Sequence, residues 1–123
     1  MIVDKTTLPI EGNTLFHIPF DMSANASGET FADADGVELH IHCLSHNIQP
    51  RLSVNNIKNF DQTKPGFSTY EVRYNLGRCN FAIFLILATD NNEKYELFRS
   101  GINFTLNFGG KTIFISNDGV VST

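Results

Sequence analysis

Two pairs of side chains in this sequence have types and spacings suited to chemistry. His40 and His42 stand two apart in residues 36–45, GVELHIHCLS, and Glu71 and Arg73 stand two apart in residues 67–74, FSTYEVRY. In an extended strand, residues two apart share a face. The first pair therefore offers two imidazoles side by side, which suits a metal clip or a polar floor that hydrogen-bonds a ligand. The second offers an acceptor beside a charged donor, close enough to orient one another and any polar ligand laid across them.

The elements that must position these groups read as strands. Val37, Leu39, Ile41 and Cys43 form the apolar parity of the first stretch, leaving Glu38, His40, His42 and Leu44 on the other, expected to be wet. In residues 67–74, Tyr70, Val72 and Tyr74 share the face opposite Glu71 and Arg73. Residues 50–55 place Arg51, Ser53 and Asn55 against Leu52 and Val54. Residues 14–22 alternate imperfectly, and Pro19, lacking an amide donor, marks that strand as an edge or a bulge. Residues 80–89, NFAIFLILAT, are apolar on both parities, as in a strand covered on both faces. Strands follow over residues 94–99, 102–108 and 112–116, separated by turn residues. Residues 23–36 are small, polar and acidic and read as a loop; the Asp33 and Asp35 pair lacks the remaining ligands of a calcium hand. Many short strands and no amphipathic helix predict an all-β fold, an antiparallel sandwich with a core filled by the eleven phenylalanines.

Length and charge narrow the function. The 123 residues fit one domain, 1–123, able to bury a core without staples. A net charge of −4 with interspersed signs lacks the basic stripe that phosphate backbones require, which argues against nucleic acid and acidic membranes as partners. No signal-like or membrane-spanning apolar run is present, so the expected location is the cytosol, with export only by an unconventional route. Cys43, on the apolar parity, and Cys79 are expected to stay free. The Asn25 and Asn103 sequons are then chance matches.

The polar positions and strand order resemble the galectins, soluble lectins for β-galactosides. Leu39 and His40 match the start of the family's first sugar-binding strand, with His42 at the asparagine position and Leu44 at the arginine position. Asn55 is similar to the asparagine that ends the next strand. Gly66, Glu71 and Arg73 match the following motif at its spacing, while Ser68 occupies the place of the stacking tryptophan. The resemblance implies a two-sheet jelly roll and a lectin without cofactor, enzymatic activity or metal. Its glycan partners would be galactoside-type with weakened or altered preference, and a homodimer is compatible with it. The implied carbohydrate site is His40, His42, Asn55, Ser68, Glu71 and Arg73, with His40, Asn55, Glu71 and Arg73 expected to form one polar patch on the concave face of one sheet.

Two rivals accompany this reading. One keeps the sandwich as a protein-interaction module that binds no sugar. The other is a cupin-like metal enzyme using His40, His42 and His46; the expected following glutamate and a second histidine motif are missing. His17, alone among apolar neighbours, reads as a structural imidazole. Neither cysteine has the neighbours of an activated nucleophile.

Overall fold

The computed structural model describes residues 1–6, 10–19, 22–24, 28–33, 35–58, 61, 63–90 and 92–123. The described chain is all-β: β1 (Ile2–Thr6), β2 (Ile10–Pro19), β3 (Ser23–Ala24), β4 (Thr30–Ala32), β5 (Val37–Cys43), β6 (Arg51–Ile57), β7 (Phe67–Cys79), β8 (Ala82–Asp90), β9 (Tyr95–Ser100), β10 (Asn103–Phe108), β11 (Lys111–Ile115) and β12 (Val121–Ser122). All pairings are antiparallel. A five-stranded sheet runs β1-β8-β5-β4-β3, a three-stranded sheet β2-β7-β6, and a four-stranded sheet β12-β11-β10-β9.

β8 explains how these three sheets pack. Its even residues Ala82 and Phe84 join Ile18, Phe31, Ile41, Val72, Tyr74 and Leu76 in one core, against the three-stranded sheet. Its odd residues Ile83, Leu85 and Leu87 join Leu44, Phe104, Leu106 and Ile115 in a second core, against the four-stranded sheet. Because alternate residues of a strand point to opposite faces, the five-stranded sheet is the middle of three layers. The apolar run on both parities is thus covered on both sides, as its composition predicts.

The chain reaches this arrangement by crossing repeatedly between the middle and the three-stranded sheets up to residue 90, then adding β9 to β12 as a meander. The expected antiparallel sandwich is present in the first pair of layers. Where the galectin-like jelly roll would distribute every strand over two sheets, the last four strands here form a third. The expected loop at 23–36 contains β3 and β4, with Asp33 Oδ1 accepting from the Asp35 and Val37 amides to close the turn before β5. Residues 25–27 and 34 of that stretch lie outside the described residues. β1, absent from the sequence reading, flanks β8 with Val3 paired to Leu85.

In the first core, Phe16, Tyr74 and Phe84 meet edge-on, with centroids 5.2 to 6.1 Å apart. Tyr74 donates its hydroxyl to the Ile41 carbonyl at 3.4 Å, so the buried phenol is satisfied. β2 is an edge strand, in keeping with Pro19, and its register with β7 shifts between Gly12 and Asn13. Gly12 faces Gly77 there, and both have positive φ, 103° and 59°, which a side chain would strain. Both cysteines are free and half-buried.

Leu85 is fully buried in the core that holds the four-stranded sheet. Leu85→Ala should cost about 2–5 kcal/mol in urea unfolding. Ile2→Ala on the neighbouring edge strand, where Ile2 is 59% exposed, should change stability by less than about 0.5 kcal/mol.

Candidate functional site

Five of the six residues implied by the resemblance divide between two places, and Ser68 lies at neither. His40 and His42 lie on β5, paired across from Leu87 and Leu85, and therefore face the four-stranded sheet. Their parity is the opposite of the Ile41 core, as alternation requires, yet it is not wet. The reason is the third layer, which covers that face too. Leu44 continues the same side into the second core.

A polar cluster inside this interface satisfies the imidazoles. The turn at Asp90 to Glu93, closed by the Glu93 amide on the Asp90 carbonyl, sends the chain out of the middle sheet, and Tyr95 lands over β5. Tyr95 Oη lies 2.7 Å from His42 Nε2, and its ring sits 4.7 Å from that of His40. His40 Nδ1 lies 3.2 Å from Thr30 Oγ1 and Nε2 3.0 Å from Thr89 Oγ1, while Glu38 Oε2 stands 3.4 Å away. Burial holds the His40 pKa below the ordinary imidazole value against the pull of Glu38. His42 is lowered by burial first and by His40 second. Tyr95 is raised by burial, then by Glu29 and Glu38. Both imidazoles are therefore neutral hydrogen-bonding groups at neutral pH.

Asn55, Glu71 and Arg73 are brought together elsewhere, on the outer face of the three-stranded sheet. Tyr70, Val72 and Tyr74 point inward from β7, so Thr69, Glu71 and Arg73 point out. The register aligns His17, Glu71 and Ser53 in one row across β2, β7 and β6, and Leu15, Arg73 and Arg51 in the next. Asn55 pairs with Thr69. Arg73 Nη2 donates to Glu71 Oε1 at 2.8 Å; Glu71 is well covered, with its side chain 14% exposed, and Arg73 is half in solvent. An exposed pair of this kind contributes about 0–1 kcal/mol to folding. It does hold a carboxylate beside a guanidinium, with a second oxygen and several N–H groups left for other partners.

The expected single polar patch is therefore corrected. His40 and His42 are separated from Asn55, Glu71 and Arg73 by the middle sheet and the first core. Ser68 has the inward parity of Tyr70, opposite to Glu71, and donates to Asn56 Oδ1 at 2.6 Å. A ring at 68 would not stand beside Glu71. Conversely, His17 is exposed on the polar face, opposite Glu71, rather than structural. Its shared parity with Leu15, against Phe16 and Ile18, is the signal that marks it and Ser53 as members of this face.

Among the described residues, no three His, Cys, Asp or Glu side chains converge as metal ligands. No helix among the described residues is long and apolar enough to cross a membrane. Comparison with protein-family models, with characterised proteins and with solved structures finds no match.

The lowered histidine pKa values have a consequence for stability. The unfolded chain takes up these protons near pH 6.5, while the folded chain resists them to lower pH. The stabilisation is thus complete above pH 6.5 and is lost as pH falls through the folded values. Urea titrations should show unfolding free energy decreasing below pH 6.5, with a shallower slope for His42→Gln. An equal slope would mean that His42 does not contribute.

Proposed function

We propose that the protein is a non-enzymatic carbohydrate-binding module that takes β-galactoside-type glycans, with altered preference, on the outer face of its three-stranded sheet. The observation that carries the reading is the Arg73 to Glu71 bond at 2.8 Å, centred in a face whose neighbours are Ser53, Asn55, Thr69 and His17. Sugar hydroxyls both donate and accept, so a fixed carboxylate beside a fixed guanidinium can take two adjacent hydroxyls at once. The spacing of Gly66, Glu71 and Arg73, similar to that of the galectin motif, supports the same reading.

Leu15, exposed beside Arg73, provides an apolar edge in place of an aromatic platform. Aliphatic contact lacks the ring-face interaction that strengthens sugar stacking, so binding is expected to be weak. The second reading, a protein-interaction module, draws support from the opposite side of the molecule. Phe98 and Phe114 flank Thr105 across the outer face of the four-stranded sheet, each about half exposed, 48% and 49%.

Isothermal titration with lactose tests the proposal. Glu71→Ala and Arg73→Ala should each weaken binding by about 1–3 kcal/mol while leaving the melting transition nearly unchanged. His40→Gln should alter stability more than affinity, because His40 lies in the other interface. Absence of galactoside binding by the folded parent would sink the lectin reading and leave the interaction module.

A further inference from the structure

We propose a second ligand site, independent of the glycan reading: the cleft at the end of β5, between the middle and four-stranded sheets, binds a small carboxylate with an apolar body. The cleft measures about 570 Å³. Its polar walls are Arg99, His46, Ser45 and Asn47, and its apolar wall includes Leu97 and Phe104. No carboxylate lines it, and Arg99 has no ion-pair partner among the described residues. In a chain of net charge −4, an exposed cation without a counter-charge at the wall of a cleft provides a local attraction for an anion.

The donors are preset. Arg99 gives one N–H to the Leu44 carbonyl at 3.3 Å, and its guanidinium lies over the Phe104 ring, 4.9 Å from the centroid. These two contacts fix the plane of the fork and leave further N–H groups for a carboxylate, which a guanidinium can bind through both oxygens. Ser45 Oγ accepts the Ile83 amide at 3.0 Å and lies 2.7 Å from His46 Nδ1. In the tautomer whose Nδ1 accepts from Ser45, Nε2–H is a donor available to a ligand. The imidazole also packs near Phe81, with centroids 6.2 Å apart.

The balance of charge selects the ligand class. A single guanidinium matches a monoanion better than a dianion, and Leu97 and Phe104 offer cover to an apolar body but nothing to a second anionic group. A bare inorganic phosphate would gain the charge contact and leave the apolar wall unused.

Titration of the labelled full chain with benzoate, followed by amide chemical shifts, tests the assignment. Saturable shifts are expected at Leu44, His46 and Arg99, and Arg99→Gln should weaken binding on the order of tenfold or more. His46→Ala should weaken it more than His46→Gln, which retains a donor, and this second position decides the matter if Arg99→Gln fails to fold. Phosphate should bind more weakly than benzoate. Non-saturable benzoate shifts, affinity unchanged in both Arg99→Gln and His46→Ala, or phosphate binding as tightly as benzoate would each overturn the proposal. Glu71→Ala should leave benzoate binding unchanged, so loss of the lactose site and loss of this one are read separately.

Discussion

The structure depends on β8 having no exposed face. Its odd and even residues feed two different cores, so neither flanking sheet can be removed without exposing a continuous apolar row. At roughly 25 cal/mol per Å² of apolar surface, uncovering several leucines and isoleucines together would exceed the net stability of a domain this size. The three-stranded and four-stranded sheets are therefore both required, although they do not contribute to a common core.

Covering both faces of the middle sheet has a cost for the polar residues on it. Two histidines, a tyrosine, two threonines and a glutamate end up within one apolar interface, and an unpaired polar group there would cost on the order of 1–3 kcal/mol. The cluster resolves this by mutual hydrogen bonding and by keeping the imidazoles neutral. It also specifies the docking of β9, since only Tyr95 at the start of that strand brings a hydroxyl to His42. The histidines thus register one sheet on another, and the groups left for ligands are those on outer faces and at open ends.

The sequence made the strands legible because alternation is a local property. β5 and β10 fall close to their expected limits, β7 begins as expected and runs five residues further, and in β7 and β10 the apolar parity is the buried one. What alternation does not state is whether the second face is water or another sheet. His40 and His42 were on the correct side of β5, but the nature of that side depends on the remote meander of β9 to β12. The same limit applies to sheet membership: Asn55 and Glu71 share a face because β6 and β7 pair directly, whereas β5 pairs with β8 and β4, a non-local choice that no spacing encodes. The parity of Ser68, an odd number of residues from Glu71, sets it on the opposite face of β7 whatever position it matches in the family motif. His17 reads as structural from its immediate apolar neighbours Phe16 and Ile18, yet both lie on the other face of the strand.

Separation by layers also decides how the two recognition surfaces relate. Packed sheets lie about 10 Å apart, so the outer face of the three-stranded sheet and the cleft beyond the middle sheet are at least that far from each other. Side chains at such separations with no shared partner act additively. Coupling would require an element with two arrangements that both surfaces bias, and the intervening core offers tightly packed aromatic rings with their one buried phenol already bonded to the Ile41 carbonyl. Occupation of one surface should therefore leave affinity at the other unaltered. The physical basis of that independence is the same doubly covered sheet that moved the histidines away from Glu71 and Arg73.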